Sequence, residues 1–290
     1  MKVMVEKGER ILMEIMSMKI SVIIPTYKPQ AYLWECLDSL VAQTFPKEDF
    51  EVILVLNGCT EPYNGQIKDW LSQHGDLQVQ YIQTDEGGVS NARNIALDKA
   101  SGEYVTFIDD DDYVSPSFLA ELYNQANPDT ISLCYPYAFN DGRDEKQLPY
   151  GLTDVYNSCS KEQNIKVLSK VRKYFNGPFM KLIPMSFIQG RRYDVRFKNG
   201  EDSLFMFLIS DKIHDLSFTS KDAVYYRRVR ADSAATTART LKEVFLNAMH
   251  LSIEYTKIYF SRIRHYNALF YITRLLGCLK SVLNYRRVTF

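Results

Sequence analysis

The sequence predicts an α/β protein built on a mostly parallel β-sheet flanked by helices. Two observations lead to this class. Short apolar segments rich in β-branched residues alternate with segments of helical periodicity over the first 115 residues, in the order βαβαβαβ. Chains that alternate in this way form parallel sheets with helices on both faces. A third observation indicates a functional edge, because polar and acidic residues follow several of the strands where they end.

The individual elements follow from the local pattern. Four strands are predicted at residues 20–24, 51–56, 79–82 and 104–108. Helices are predicted at residues 31–43, 67–72 and 90–100, and a fourth helix is predicted to begin at Pro116 with Ser115 as its cap. Past residue 130 the pattern weakens, and we expect strands at 131–137 and 224–227, a helix at 161–173 and further helices from about residue 240.

Composition narrows the function classes. The chain has 290 residues, 46% of them hydrophobic, which is enough to bury a large core. Lys+Arg and Asp+Glu both number 35, so nucleic acid is not expected as a partner. The five cysteines are scattered without a Cys-x-x-Cys pair, which argues against a disulfide framework or a zinc site and favours a reducing compartment. Without an uncharged apolar run of about 18 residues, we expect a cytoplasmic protein.

Four consecutive aspartates, Asp109 to Asp112, directly follow the fourth predicted strand. Adjacent carboxylates repel one another and raise one another's pKa unless a cation lies between them. Ligands bind outside the carboxyl ends of the strands in sheets of this kind, and Pro25-Thr26-Tyr27 and Asn57 end two other strands. Oxygen ligands suit Mg²⁺ or Mn²⁺. The run therefore predicts a divalent-cation site, with a solvated acidic turn or a helix cap as the alternative.

Four segments in the first 120 residues carry a family resemblance. They are Ile-Ile-Pro-Thr-Tyr at 23–27, Gly-Gly-Val-Ser-Asn-Ala-Arg-Asn at 87–94, Gly-Glu-Tyr at 102–104 and Phe-Ile-Asp-Asp-Asp-Asp at 107–112. In this order they resemble family 2 glycosyltransferases of the GT-A fold. The resemblance implies a metal-dependent, inverting transfer of a sugar from a nucleotide-sugar, with a UDP-sugar favoured, to an acceptor hydroxyl. It also implies a place in surface polysaccharide synthesis, with a glycan or lipid-linked glycan as acceptor.

The resemblance assigns the nucleotide pocket. Pro25, Thr26 and Tyr27 would contact the nucleoside, and Tyr27 could stack on the base. Asn57 stands where the family usually has an aspartate that binds the base. An amide can still bond a base edge, but the change weakens the preference for UDP over other nucleotides.

The same resemblance places other groups at the diphosphate. Gly88 precedes a helix and offers backbone N–H groups to phosphate, and Arg93 lies one turn into that helix. Arg93 could instead form an ion pair with the acidic run. By position Asp109 would face the ribose and Asp111 the metal, with Asp109 as a second ligand. Asp110 or Asp112 could substitute, and the register stays open.

A second acidic motif predicts the catalytic base. Inverting transfer needs a carboxylate that accepts the proton of the acceptor hydroxyl. Gly200-Glu201-Asp202 matches the acidic pair that the family carries near a helix start, with Asp202 as the base and Glu201 as the alternative. The plain interpretation is acids favoured at a helix N-terminus. Lys181 could be structural or could reach a phosphate. Further candidates to close over the diphosphate are Arg227, Arg228, Arg230 and Ser233.

The resemblance suggests a domain organisation. Residues 1–17 would be an N-terminal extension and 18–240 a GT-A catalytic domain, with a nucleotide-binding half (18–115) and an acceptor-binding half (116–240). The tail, 241–290, has eight Lys/Arg against two acids and an apolar stripe of Leu275, Leu276, Leu279, Val282 and Leu283. Such a tail could lie on anionic lipid as a peripheral contact at the inner face of the cytoplasmic membrane, pack on the catalytic domain, or form a homodimer.

Two other functions compete with this prediction. A sugar-phosphate nucleotidyltransferase also binds nucleotides on an α/β sheet, but it would carry a glycine-rich basic loop after the first strand. Residues 25–29, Pro-Thr-Tyr-Lys-Pro, are not such a loop. A catalytically inactive homologue that only binds nucleotide-sugars is the second alternative, and intact Asp109, Asp111 and Asp202 argue against it.

Overall fold

A computed structural model describes residues 18–142, 146–161, 168–230 and 239–285. The expected N-terminal extension, Ser233 and the basic pair Arg286 and Arg287 lie outside these residues. Within them, the helices are all too short or too polar to cross a membrane. The five cysteines all lie in the described ranges and are all free.

The described residues form ten strands and nine α-helices. The strands are β1 Ile20–Thr26, β2 Phe50–Asn57, β3 Val79–Thr84, β4 Tyr104–Phe107, β5 Tyr113–Val114, β6 Thr130–Leu133, β7 Tyr135–Asn140, β8 Lys181–Pro184, β9 Asp215–Phe218 and β10 Val224–Val229. The helices are α1 Tyr32–Val41, α2 Tyr63–Gln73, α3 Val89–Lys99, α4 Phe118–Asn124, α5 Gly151–Cys159, α6 Met185–Ile188, α7 Glu201–Leu208, α8 Leu241–Ser261 and α9 Ala268–Leu283.

The main sheet has seven strands in the order β3-β2-β1-β4-β8-β6-β9. β1 pairs in parallel with both β2 and β4, and β2 pairs in parallel with β3. β8 is antiparallel to β4 and to β6. The chain thus builds outward from β1 to β3 and then returns to β4 on the other side of β1. The carboxyl ends of β1 and β4 flank this reversal, where open α/β sheets bind ligands.

The second sheet is small and lies next to this reversal. Its order is β5-β10-β7, with β10 antiparallel to β5 and parallel to β7. β5 begins at Tyr113, directly after the four aspartates, which therefore form the turn between the two sheets. The sheet brings arginines of β10 from far along the chain onto the acidic turn.

The core follows from the apolar strands. Every residue of β1 is buried, and β2 is buried except for Glu51. Parallel strands covered on both faces read as continuous apolar runs, which is the pattern that predicted them. The four early strands and the α/β class are confirmed.

Three local predictions are wrong. The strand expected at 131–137 breaks at Cys134, which separates β6 in the main sheet from β7 in the small one. The helix expected from Pro116 begins at Phe118. Ser115 does not cap it, because its hydroxyl donates to the Asp222 carbonyl at 2.6 Å and accepts from the Val224 N–H at 2.9 Å.

The prediction of a helix at 161–173 is also wrong for residues 168–173, which the structure describes. Residues 168–171 form turns, and Arg172–Asn176 is a short 3₁₀ helix. The Tyr174 N–H donates to the Val171 carbonyl at 2.9 Å, three residues earlier, which is the 3₁₀ pattern. The Lys181 ammonium, from β8, donates to the Tyr174 carbonyl at 2.7 Å.

The tail forms an antiparallel pair of helices, α8 and α9, that packs on the body of the protein. A capping box between Thr240 and Glu243 begins α8. The Tyr255 hydroxyl hydrogen-bonds Ser203 of α7 at 2.7 Å. Arg274 of α9 reaches the Phe175 carbonyl at 2.5 Å. One face of the helical pair therefore supports the helix that carries Glu201 and Asp202.

Candidate active site

The acidic run is a tight turn in which the four side chains contact four different partners. The Asp112 N–H donates to the Asp109 carbonyl at 3.0 Å and closes the turn. Asp110 contacts the end of β1, where the Thr26 hydroxyl donates to its carboxylate at 2.5 Å. Burial raises the pKa of Asp110 to about 7, although the Thr26 bond opposes the shift. Asp110 thereby ties the carboxyl ends of β1 and β4 together.

The other three carboxylates converge. Oxygen atoms of Asp109, Asp111 and Asp112 lie within 4.8 Å of one another. Asp112 is only 3% exposed; it accepts the Arg228 N–H at 2.8 Å and hydrogen-bonds the Tyr225 hydroxyl. Asp109 and Asp111 stay partly exposed. This all-oxygen set fits Mg²⁺ or Mn²⁺, which proteins hold with one or two carboxylates plus substrate phosphate. Asp109 and Asp111 are the accessible ligands, and Asp112 fixes the turn.

The site is held by cations from two directions. The Arg230 Nε donates to Asp111 Oδ2 at 2.7 Å, and its guanidinium lies 4.6 Å from the centre of the Tyr32 ring. Burial raises the pKa of Asp111, which this ion pair opposes. Arg228 donates through Nε to the Asp111 carbonyl at 2.9 Å and also pairs with Glu35. Arg228 and Arg230 thus both bind the acidic turn through Asp111.

Arg93 connects the acidic turn to the second acidic motif. Its guanidinium donates to Asp109 at 3.0 Å and to Asp202 at 2.5 Å, and its side chain is 3% exposed. The ion pair expected as an alternative role for Arg93 is therefore present. Although burial alone would lower the pKa of Arg93, Asp202 and Asp109 keep it raised. A permanently charged group thus bridges two carboxylates that lie 93 residues apart in the sequence.

Asp202 and Glu201 occupy the first turn of α7. Burial raises the pKa of Asp202 to about 7, against the opposing effect of Arg93. Burial also raises the pKa of Glu201, whose Oε2 has no hydrogen-bond partner among the described residues. Gly200 precedes them with φ +84°, and a Cβ there would lie 2.6 Å from Leu251 of α8. Glycine is therefore required where the helix start contacts the tail.

Asn57 holds loops together at the end of β2. Its amide nitrogen donates to the Thr26 carbonyl at 2.8 Å, and its amide oxygen accepts the Gly88 N–H at 2.8 Å. The side chain is buried, so these bonds rather than solvent satisfy it. These two bonds hold the ends of β1 and β2 next to the start of α3.

The outer rim of the same edge is open. Tyr27 is 53% exposed, whereas Pro25 and Thr26 are buried in β1. Gly58 has φ +66°, and a Cβ there would lie 2.8 Å from the Cα of Gly87. The two loops can meet this closely because position 58 is glycine. An exposed aromatic ring beside a polar crevice suits a planar ligand.

Lys181 does not reach a phosphate site. It is fully buried, and its ammonium donates to the carbonyls of Tyr174, Gly177 and Phe179, each at 2.7 Å. Burial lowers the pKa of Lys181 to about 7. Of the two roles considered for Lys181, the structure therefore supports the structural one.

Three further side chains of the site were not among the residues predicted from the sequence. The Tyr225 hydroxyl accepts the Asp109 N–H at 3.2 Å and bonds Asp112. The ring of Tyr193 lies 5.4 Å below the Arg93 guanidinium. Asn94 fixes Tyr193 by donating to its carbonyl at 2.9 Å and accepting its N–H at 2.7 Å. Only Asn94 lay inside a recognised motif; the two tyrosines are among 20 in the chain.

Comparisons with known proteins agree with this geometry. The family model for glycosyl transferase family 2 matches residues 21–190, more than half of the chain. The poly(ribitol-phosphate) β-N-acetylglucosaminyltransferase TarS of Staphylococcus aureus is 30% identical over 236 residues, 81% of this chain and 40% of TarS. The poly(ribitol-phosphate) β-glucosyltransferase of Bacillus spizizenii is 30% identical over 238 residues, 80% of this chain and 36% of that protein. The chain thus spans about two fifths of the length of these relatives.

The fold is shared as well. The crystal structure of S. aureus TarS residues 1–349 in complex with UDP matches with a TM-score of 0.68 at 24% identity, covering 94% of this chain and 74% of that one. The expected GT-A fold is confirmed by this likeness. From its family match, the chain belongs to glycosyl transferase family 2.

Proposed function

We propose that this protein is an inverting glycosyltransferase that moves a sugar from a nucleotide-sugar, with a UDP-sugar favoured, to a hydroxyl of a surface glycan or lipid-linked glycan. The observation that carries the proposal is the Arg93 bridge between Asp109 and Asp202. It brings a carboxylate of the ligand-binding edge and a buried carboxylate of the opposite wall into one cleft. Transfer requires these two functions to be adjacent: departure of a diphosphate and removal of a proton.

The donor would lie along the carboxyl ends of β1, β2 and β4. Tyr27 would stack on the base, Pro25 and Thr26 would line the nucleoside, and Gly88 would face the diphosphate. Asn57 would shape this pocket through its hydrogen bonds to the backbone of Thr26 and Gly88. Toward the nucleobase it would offer the remaining lone pair of its amide oxygen.

The diphosphate would lie at the acidic turn. Asp109 and Asp111 would hold a divalent cation, with Asp109 also near the ribose and Asp110 keeping the turn against Thr26. Such a cation, when bound, neutralises charge on the departing nucleoside diphosphate. Arg93 adds a fixed positive charge beside Asp109.

Asp202 would act as the base. A general base works best when its pKa lies near the operating pH, and burial brings Asp202 to about 7. Once deprotonated, it would accept the proton of the acceptor hydroxyl as that oxygen attacks the anomeric carbon. The bond to the nucleoside diphosphate breaks on the opposite face, so the configuration inverts. Glu201, one residue earlier in the same helical turn, is the second candidate.

The proposal is tested by donor turnover. The full chain is incubated with a panel of UDP-, GDP- and dTDP-sugars, with Mn²⁺, Mg²⁺ or chelator, and release of free nucleotide is measured. We expect release from one donor class, dependent on the cation and lost in Asp111→Ala. Full activity in Asp111→Ala and in Asp202→Asn would contradict the assignment. Metal-dependent binding of UDP without turnover would indicate an inactive homologue, and formation of a nucleotide-sugar from sugar phosphate would indicate a nucleotidyltransferase.

We further propose that the helical pair α8–α9 rests on an anionic membrane surface, at the inner face of the cytoplasmic membrane. Of the fifteen large hydrophobic side chains exposed in the described ranges, twelve lie between residues 241 and 283. Leu269, Ile272, Leu276, Leu279 and Leu283 recur along one face of α9, opposite its buried residues. Exposed patches of this kind mark interaction sites.

Charge favours lipid as the occupant of this face. Lys242 precedes the exposed Leu246 by one helical turn, Lys280 follows the exposed Leu276 by one turn, and Arg264 lies exposed between the helices. Basic residues beside an apolar face are the pattern of helices that lie on anionic bilayers. A lipid-linked acceptor would be presented at such a surface.

Vesicle binding tests this part of the proposal. We expect sedimentation with vesicles containing anionic phosphatidylglycerol, weaker sedimentation with neutral phosphatidylcholine, and loss of both in Ile272→Ser/Leu276→Ser/Leu279→Ser. Val195→Ser, at another exposed apolar residue, is the control. Absence of vesicle binding would contradict the lipid contact. A dimer in sedimentation velocity that the triple variant dissociates would assign the face to a second copy instead.

A further inference from the structure

A cavity of about 390 Å³ lies beside the candidate active site, outside the set of donor residues. Three cationic side chains, Arg172, Lys173 and Arg227, line it together with aromatic residues that include Tyr150 and Phe179. Thr26, Asn57, Asp109 and Asp111 are not among its lining residues. The cavity is therefore separate from the place proposed for the nucleotide.

The cavity adjoins both acidic motifs. The ring of Phe179 stacks on Tyr225 at 5.9 Å, and the hydroxyl of Tyr225 contacts Asp109 and Asp112. On the other side, the 3₁₀ segment Arg172–Asn176 packs against α7, which carries Asp202. A molecule seated in the cavity would thus lie next to the carboxylate proposed as the base.

The charge of the cavity is one-sided. No aspartate or glutamate lines it in the described part of the chain. Arg227 stacks over the Tyr150 ring at 5.3 Å and hydrogen-bonds the Tyr150 side chain, and the carboxylates that attract it, Asp112 and Asp109, lie outside the lining. Lys173 donates to the Gly151 carbonyl at 3.3 Å, and a neutral carbonyl does not cancel the charge of the ammonium. Three cations around one space favour an anionic ligand.

The wall that carries these cations is rigid. Lys181 binds three carbonyls of residues 174–179, and Arg274 binds the Phe175 carbonyl at 2.5 Å and the Asn176 amide oxygen at 2.8 Å. Both cations are buried. A wall fixed in this way holds its binding groups in place before the ligand arrives, which lowers the entropic cost of binding.

We propose that this cavity is the acceptor subsite and that it binds the phosphate group of a phosphate-bearing acceptor. The inference rests on the proposed transferase function and names its acceptor class. Guanidinium groups match phosphate oxygens in a planar, two-bonded geometry. The aromatic rings offer flat apolar surfaces to the polyol or sugar attached to that phosphate. The hydroxyl to be glycosylated would then project toward Asp202.

Direct binding tests the proposal without depending on turnover. Ribitol 5-phosphate and ribitol are titrated into the full chain by calorimetry, with UDP and Mn²⁺ saturating so that the phosphate probe cannot occupy the diphosphate site. We expect ribitol 5-phosphate to bind at least about tenfold more tightly than ribitol, because charge-assisted bonds are worth that much. Arg172→Gln/Lys173→Gln should remove the preference. Lys68→Gln/Lys212→Gln removes the same charge at exposed positions elsewhere and should keep it.

Several outcomes would overturn the proposal. These are equal binding of the two probes, a preference that survives in Arg172→Gln/Lys173→Gln, or a loss of UDP affinity in that variant, which would assign the cations to the donor. Donor hydrolysis by the same variant distinguishes a failure of the acceptor subsite from a failure of the proposed transferase function. Hydrolysis within about twofold of wild type means that the transferase function stands whatever the acceptor. Absence of hydrolysis in wild type would count against the proposed function itself.

Acceptor assays then distinguish the sources of the phosphate. A poly(ribitol phosphate) oligomer and a polyprenyl-diphosphate-linked sugar are compared as acceptors with a neutral oligosaccharide. We expect KM for whichever phosphate-bearing acceptor is used to rise about tenfold or more in Arg172→Gln/Lys173→Gln, and to rise with salt in wild type. An equal rise for a neutral acceptor would contradict a phosphate subsite.

Discussion

The two walls of the cleft handle buried charge in opposite ways. On the nucleotide-side wall, four adjacent carboxylates are each held by a different partner, and three of the partners are arginines, Arg93, Arg228 and Arg230. On the acceptor-side wall, two buried cations, Lys181 and Arg274, lie behind the helix of Glu201 and Asp202, and their partners are neutral carbonyl and amide groups. In the proposed function a divalent cation would displace an arginine from the first wall, whereas the second wall is a fixed scaffold. Arg93 alone, among the described contacts, joins the two acidic motifs.

The largest expected effect separates chemistry from donor binding. In Asp202→Asn the amide cannot accept the acceptor's proton, so we expect kcat to fall by about 10²–10⁴ while the affinity for UDP with Mn²⁺ is kept. Glu201→Gln, one residue away, should lower kcat less, since Asp202 remains. Steady-state kinetics and calorimetry on the same preparations measure both. If Glu201→Gln costs more than Asp202→Asn, the two roles are exchanged.

A substitution in the acceptor-side wall should lower the stability of the fold more than it lowers catalysis. Lys181→Met leaves three buried carbonyls without their donor, and we expect a loss of about 2–5 kcal/mol in the free energy of unfolding. Urea unfolding followed by circular dichroism measures it. Lys212→Met, at an exposed lysine, should change stability by no more than about 0.5 kcal/mol. A Lys181→Met variant as stable as wild type would mean that the ammonium does not hold this wall.

The pH dependence sharpens the assignment of the base. Burial raises the pKa of Asp202 to about 7, so the carboxyl is protonated below that pH and cannot accept a proton. We therefore expect kcat/KM for the acceptor to rise about tenfold from pH 6 to pH 8 and then to level. Asp202→Glu should retain a limb of the same sign with a shifted midpoint. A profile flat through pH 7 in wild type would contradict a base with this pKa.

A smaller effect is expected at the exchangeable wall. Arg230 occupies one oxygen of Asp111 at 2.7 Å, so a metal ion must compete with it. Arg230→Gln should tighten binding of Mn²⁺ in the absence of nucleotide by about two- to fivefold, the range of a partly exposed ion pair. Lys212→Gln is the charge-matched control. Weaker Mn²⁺ binding in Arg230→Gln would show that the arginine assists rather than opposes the ion.

Prediction from sequence worked where a local pattern determines the structure. The apolar runs of β1, β2 and β4 fixed the parallel core because strands buried on both faces need no alternation. The acidic residues could be placed at the sheet edge because their position in the chain follows a strand end. Their individual directions could not, since Asp110 faces Thr26 and Asp112 faces Arg228 through contacts made by segments distant in sequence.

Elsewhere, long-range contacts overrode the local pattern. In its described part, the helix expected at 161–173 is replaced by turns and a 3₁₀ helix, and Lys181 of β8 binds the Tyr174 carbonyl of that 3₁₀ helix. Tyr225 became part of the site through β10, a strand whose paired residues lie 89 to 113 positions away in the sequence. Nothing within a window of residues around Tyr225 could have indicated that role.

The separation of the two walls is tested most directly by calorimetry of UDP binding to the full chain, with and without Mn²⁺, in wild type, Asp111→Ala and Asp202→Asn. We expect Mn²⁺-dependent binding of UDP in wild type and in Asp202→Asn, and at least about a tenfold loss of UDP affinity in Asp111→Ala. Binding that is independent of Mn²⁺, or that fails in Asp202→Asn while surviving in Asp111→Ala, would contradict this separation.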